Sequence, residues 1–174
     1  MEEKTSHNPA FTRFAGTKFI GASKEITKAA YCALRGWTMP ENEDPNEIGR
    51  MVQYDQPEGQ EPTPGYDGYI SWSPKFAFDE AYRESGQMNF GHAIEALKQG
   101  KRVARTGWNG KNMFIFLVDG SRFEMNRAPL NKIFDPGTQV SYNSHIDIKN
   151  PDNSISTWSP SGSDALAEDW VILG

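Results

Sequence analysis

An unbroken apolar run, Met113-Phe114-Ile115-Phe116-Leu117-Val118, most constrains the fold of this chain. Consecutive apolar residues cannot alternate between a wet and a dry face, so the run predicts a central strand buried on both faces. Such a strand needs a partner on each edge and an element to cover it, and the surrounding sequence supplies both. Upstream, Phe90, Ile94 and Leu97 fall on one face of a helix over 90–99, with Asn89 as N-cap and Gly100 as stop. Residues 101–105 alternate as a strand. Downstream, Asp119-Gly120 is a tight-turn signal feeding a hairpin into 122–125. Two further strands are expected over 142–149 and 154–158, joined by a turn at Pro151-Asp152-Asn153. A single helical turn within 163–169, capped by Ser163 or Asp164, leads to a closing strand over 170–173. The class is α+β, a small antiparallel sheet with a packed helix. About 85 residues make a thin core, and oligomerisation would help it.

The first half reads as a β-α-β-β-α module over 16–86, preceded by an arm at 1–15; the second domain is 88–174. Residues 18–27 alternate as a strand. Thr27 can cap a helix that Gly36 ends, and 50–54 form the next strand. A Pro- and Gly-rich stretch, 56–68, is a surface loop. After a strand at 69–73, Ser73-Pro74 pairs a hydroxyl cap with Pro at the first helical position, starting a helix that Gly86 stops. The Ser-Trp-Ser-Pro-Lys-Phe-Ala-Phe-Asp-Glu-Ala-Tyr-Arg pattern at 71–83 resembles an N-terminal module of small phage proteins to which the resemblance assigns no activity. It reads as a packing or assembly domain, with Trp37, Trp72, Phe76 and Tyr82 as core or interface residues.

Composition narrows the function. Of 174 residues, 12% are aromatic and 24% charged, which is globular and not disordered. The net charge of −5 falls entirely in 1–87, while 88–174 is neutral. A sequence pI near 5.2 exerts no general pull on long nucleic acids. A small anionic ligand needs only a local cationic pocket. No apolar run approaches the roughly 20 residues of a membrane helix, and the N-terminus has no signal core, so the expectation is a cytoplasmic protein with no membrane partner. Cys32 is the only cysteine, and its spacing from Ala29, Ala30 and Ala33 reads as helix packing. The three histidines, His7, His92 and His145, are scattered, so no metal site is expected. There is no GxGxxG, Walker A or HExxH motif, and no cofactor is expected. No nucleophile is placed beside His145 and Asp147, so the chain reads as a binding protein and not as an enzyme.

The ligand-binding candidates lie in the second half. Trp108 sits between Gly107 and Gly110, where a turn lifts the indole out of the strand pattern and frees a face that could stack on a purine; a sheet-edge plug is the alternative. Asn109 and Asn112 could read a base edge or a ribose, or serve turn chemistry. Met113 alternates with the strand residues and could line a pocket or the core. Arg105 and Arg127 are phosphate candidates, as are Lys101 and Arg102, against ordinary surface charge. Tyr142, His145 and the second exposed-looking indole, Trp158, complete the set. Asp164 and Asp169 could accept from ribose hydroxyls or a base amine, or could instead cap the helical turn or pair with Arg105. Trp170 reads as core.

Five ordered segments carry a resemblance: MNFGHAIEALKQGKRVARTGWNG, FIFLVDGSRFEMNRAPL, YNSHIDIK, TW and LAEDW, from Met88 to Trp170. Together they resemble the second class of phage Thoeris anti-defence proteins. The resemblance implies a small sponge in the host bacterial cytoplasm. It would capture a cyclic ADP-ribose signal made by a TIR enzyme, or a cyclic dinucleotide, without cleaving it. It also implies a homo-oligomer, tetramer or dimer. The rival expectations are an enzyme that degrades the same signal and a protein-interaction inhibitor of a host factor.

Overall fold

The computed structural model describes residues 16–55 and 61–174. The arm at 1–15 and residues 56–60 of the Pro- and Gly-rich loop lie outside them. The chain divides into two units, 1–80 and 81–174.

In the first unit, β1 (Ile20–Ala22), β2 (Ile26–Thr27), α1 (Lys28–Arg35), β3 (Ile48–Tyr54), β4 (Tyr69–Pro74) and α2 (Lys75–Ala81) follow in order. All strands pair antiparallel with β3: β4 runs along most of it, and β1 and β2 meet its two ends. The strand expected over 18–27 is broken in two. Ser23 bonds Met51 through its amide at 2.9 Å and accepts the Met51 N–H on its own hydroxyl at 3.0 Å, which interrupts the ladder. Thr27 caps α1 through the Ala30 N–H, and Gly36 closes it at φ 67°, as the sequence predicts. Tyr31, Cys32 and Ile70 form the core, with Ile26, Met39, Met51, Tyr66 and Trp72 packed around them. Trp37 (54% exposed) and Phe76 (81% exposed) lie on the surface.

Ser73 and Pro74 do not begin the helix. They are the last residues of β4, paired with Arg50 and Gly49, and α2 starts at Lys75 and ends at Ala81, short of Gly86. Gly49 makes this pairing possible. A Cβ there would lie 2.5 Å from Cζ2 of Trp72 and against the carbonyl of Ser73.

The second unit holds α3 (Phe90–Lys98), β5 (Arg102–Arg105), β6 (Phe114–Val118), β7 (Ser121–Glu124), β8 (Gln139–Tyr142), β9 (His145–Lys149), β10 (Ile155–Thr157), α4 (Gly162–Ala165) and β11 (Trp170–Leu173). The main sheet is antiparallel with strand order β10-β9-β6-β5-β11, so β6 is central. Helix α3, capped by Asn89 through the His92 N–H, packs on β5, β6 and β11. Ala93, Ala96, Leu97, Val103, Ile115 and Trp170 are buried. The opposite face of β6 differs from expectation: Phe114, Phe116 and Val118 are half-buried.

The hairpin expected at Asp119-Gly120 does not form. Both edges of β6 are taken, by β5 and β9, so β7 leaves the sheet and pairs with β8 as a separate arm. Gly120 passes so close to this arm that a Cβ would lie 2.8 Å from the Tyr142 carbonyl. The strand expected over 142–149 accordingly splits at Asn143-Ser144 between the arm and the main sheet. At the other end, residues 85–88 close the free edge of β11. The Gly86 N–H donates to the Trp170 carbonyl, Met88 and Trp170 exchange backbone bonds, and Ser85 Oγ accepts the Ile172 N–H at 2.9 Å.

Replacing Gly49 with Ala must shift the Trp72 indole or the β4 backbone. Thermal unfolding of Gly49→Ala should show a loss of about 2–3 kcal/mol, the scale of overpacking a filled site. An unchanged midpoint would mean the strand pair has room that its geometry denies.

Candidate functional site

The turn after β5 is shaped by one carboxylate. Asp169 accepts from Gly107 N (2.8 Å) and Thr106 Oγ1 (3.4 Å) on one oxygen and from Arg105 Nε (2.7 Å) on the other, while its carbonyl takes the Thr106 N–H. Gly107 permits the approach, since a Cβ there would lie 2.8 Å from Asp169 Oδ2. The turn delivers Trp108 into a group of four aromatic rings. Its indole meets Trp170 at 5.6 Å and Trp158 at 6.3 Å, both edge-to-face, and Phe90 lies 5.3 Å from Trp170 and 6.1 Å from Trp158. Trp170 is fully buried, as expected, while Phe90, Trp108 and Trp158 are half-buried. These geometries suit the ring quadrupoles and add to burial.

Asp164 joins this group to α4. The helix cap is Ser161, not Ser163 or Asp164: its hydroxyl accepts from Asp164 N, and Asp164 returns the contact as the third residue of a capping box. Asp164 Oδ2 takes the Ser161 hydroxyl (2.6 Å) and amide (3.1 Å). Its Oδ1 takes Arg105 Nη1 (2.8 Å) and Trp108 Nε1 (3.3 Å), and its backbone carbonyl takes Trp170 Nε1 (3.2 Å). Burial pushes the Asp164 carboxyl up, but hydrogen bonds from Ser161, Arg105 and Trp108 outweigh it and bring it down to about 2. The Arg105 hydrogen bond holds Asp169 below its ordinary value, and the two carboxylates raise Arg105 in turn. Arg105 is thus spanned by two carboxylates, and the trio carries a net charge of −1. Of the roles left open for Asp164 and Asp169, the geometry displays the cap and the pairing with Arg105.

The remaining candidates fall in three places. Asn109, Asn112 and Met113 lie on the Trp108 turn: Asn112 adopts φ 59° and its carbonyl accepts from Lys149 Nζ at 3.3 Å, while Met113 folds over Gly110 beside Pro151. Tyr142 and Arg127 belong to the β7–β8 arm. Tyr142 stacks on Phe123 at 5.3 Å, and Arg127 lines an open cleft of about 460 Å³ with Phe123, Glu124, Met125, Asn126, Ala128 and Leu130. His145 stands on the outer face of the main sheet, its Nδ1 against the Asn143 carbonyl and its Nε2 3.6 Å from Asp147 Oδ1. Among the described residues no group of three or more His, Cys, Asp or Glu side chains gathers as a metal site. The sequence reading places Phe90 only on the apolar face of the helix and does not single out Ser161. The Ser-Gly-Ser-Asp spacing at 161–164 is a capping-box signal that could have found Ser161.

Two measurements test this network. Arg105→Ala would leave two carboxylates facing each other without their cation, and chemical denaturation should show a loss of about 3 kcal/mol. Parent-like stability would mean the trio is only a surface decoration. The pH response follows from the depressed carboxylates. A group whose folded pKa lies below its unfolded value stabilises above the unfolded value and loses that contribution as pH falls through the folded one. Stability should therefore decline between about pH 4 and pH 2, and Asp164→Asn should flatten that decline.

Comparison with known proteins bears on the same half of the chain. A family description, Thoeris anti-defense 2-like domain, matches residues 88–173. Thoeris anti-defense 2 of Bacillus phage SP01 is 43% identical over 90 residues, which make up 50% of this chain and 96% of that protein. The aromatic group, the Arg105 trio and the β7–β8 arm all lie inside the matched region, and the chain belongs to the Thoeris anti-defense 2 family.

Proposed function

We propose that this chain is a phage anti-defence protein acting against Thoeris, and that it works by binding a cyclic nucleotide immune signal and withholding it from its effector without cleaving it. The observation that carries the reading is the match of residues 88–173 to an anti-defence family, with nearly the whole length of a phage relative covered. The side chains support a nucleotide. Trp108 and Trp158 are half-buried indoles in edge-to-face contact with each other, and an exposed indole face stacks on a base for roughly 1–3 kcal/mol. Asn109 and Asn112 follow Trp108 in the same turn, with amides suited to base edges or ribose. Because Arg105 is engaged by Asp164 and Asp169, Arg127 in its cleft beside the Phe123–Tyr142 stack is the better phosphate contact.

Sequestration needs affinity and copy number but no bond chemistry, which suits a site made of rings, amides and a cation. A sponge working against a sensitive effector needs a dissociation constant near the nanomolar range, about −12 kcal/mol. Aromatic and cationic groups on separate elements are brought to bear on one small ligand most simply by a homo-oligomer, tetramer or dimer. The half-buried Phe114, Phe116 and Val118 are suited to such a contact. The setting proposed is the host cytoplasm. Among the described residues no helix is long and apolar enough to cross a membrane.

The deciding experiment is incubation of the purified chain with cyclic ADP-ribose isomers and cyclic dinucleotides, followed by removal of free ligand and heat release. Mass spectrometry should recover one or more signals intact, and light scattering should show a dimer or tetramer. Recovery of hydrolysed product would favour a degrading enzyme. Capture of a host protein with no nucleotide would favour a direct inhibitor.

A further inference from the structure

The geometry points to Asp164 as a positioning residue for ligand binding: it fixes the Trp108 indole through the ring N–H and does not itself touch the ligand. This rests on the reading that Trp108 is a stacking surface. Four observations carry it. Asp164 is only 9% exposed, and each of its carboxylate oxygens is already engaged, Oδ1 by Arg105 and Trp108 and Oδ2 by Ser161. A ligand hydroxyl would have to displace one of these donors. The indole is held at two places: its backbone by the Asp169-anchored turn and its Nε1–H by Asp164 at 3.3 Å. Asp164 also grips the neighbouring ring, since its carbonyl takes Trp170 Nε1. Trp108 meets Trp158 and Trp170 edge-to-face, and a ring free to turn about its side-chain bonds would lose that arrangement.

Fixing the ring before the ligand arrives removes an ordering cost from binding. A side chain immobilised only on binding costs about 0.5–1.5 kcal/mol, so losing the lock should weaken binding by about 2- to 12-fold. The role predicts dependence on the indole N–H and none on a direct Asp164 contact.

The test uses the full chain, three variant proteins and two probes, cyclic ADP-ribose and 3′,3′-cyclic GMP–AMP. Asp164→Ala removes the acceptor. Replacing Trp108 with 3-benzothienylalanine keeps the ring shape and removes only the donor. The third protein combines both. Calorimetry should show each single change weakening the bound probe by about 2- to 12-fold, with the combination no worse than the singles. Additive losses, or parent-like binding by the benzothienyl protein, would overturn the proposal. Labelling with 5-fluorotryptophan gives a readout without ligand. The chain has five Trp, and Trp108→Phe identifies the relevant fluorine signal. That signal should broaden or split in Asp164→Ala; a signal as sharp as the parent's rejects the lock. A parent chain that binds none of the cyclic ADP-ribose isomers and cyclic dinucleotides overturns the sequestration reading instead, and the fluorine signal still decides the lock. If Asp164→Ala does not fold, the benzothienyl protein decides alone, because it leaves Asp164 and the α4 cap intact.

Discussion

Arg105 lies between two carboxylates that come from the far end of the chain, and the arrangement of the second unit follows from that fork. Its Nε is committed to Asp169 and its Nη1 to Asp164. One bond fixes where the β5 turn goes, because the same Asp169 holds Gly107; the other fixes where α4 sits, because the same Asp164 closes the Ser161 capping box. The aromatic group fills the space between them. A charge-assisted fork of this kind is stiff in direction, unlike apolar contact, which sets distance but not orientation. That is why four rings can be held with their edges and faces in defined relation in a unit of fewer than 100 residues.

The elements read best from sequence were those whose signals are local. The cap at Asn89, the cap at Thr27, the left-handed stop at Gly36 and the central placement of β6 each depend on a few adjacent residues. What failed depended on pairing across the chain. Asp119-Gly120 carries a sound hairpin signal, but β9 outcompetes β7 for the edge of β6 through a five-residue register from Phe114↔Lys149 to Val118↔His145. Ser73-Pro74 has the chemistry of a helix start, yet the ladder with Gly49 and Arg50 keeps both residues in the strand. Local propensity lost to tertiary contact in both cases.

The candidate site was legible in its parts and not in its division of labour. Trp108, Arg105, Asp164, Asp169 and Trp158 were all picked out, and the structure brings them together. Sequence alone left the roles of the two acids open, because an acceptor for ribose and an acceptor for Arg105 are the same residue type. The distances display the internal partners: Arg105 is held by both acids. Phe90 reads from sequence only as part of the helix's apolar face, because a first-turn aromatic on a helix looks like ordinary core.

The closed edge of β11 has a wider consequence. Gly86 and Met88 bond Trp170, so the opening residues of this unit and its last strand are neighbours, 2.8 Å apart at the nearest backbone bond. A cassette whose two ends meet can accept new sequence upstream with little disturbance to its interior. An open strand margin is also a template for unwanted stacking between chains, and here the residues leading into the unit occupy it. Residues 85–88 thereby guard that margin.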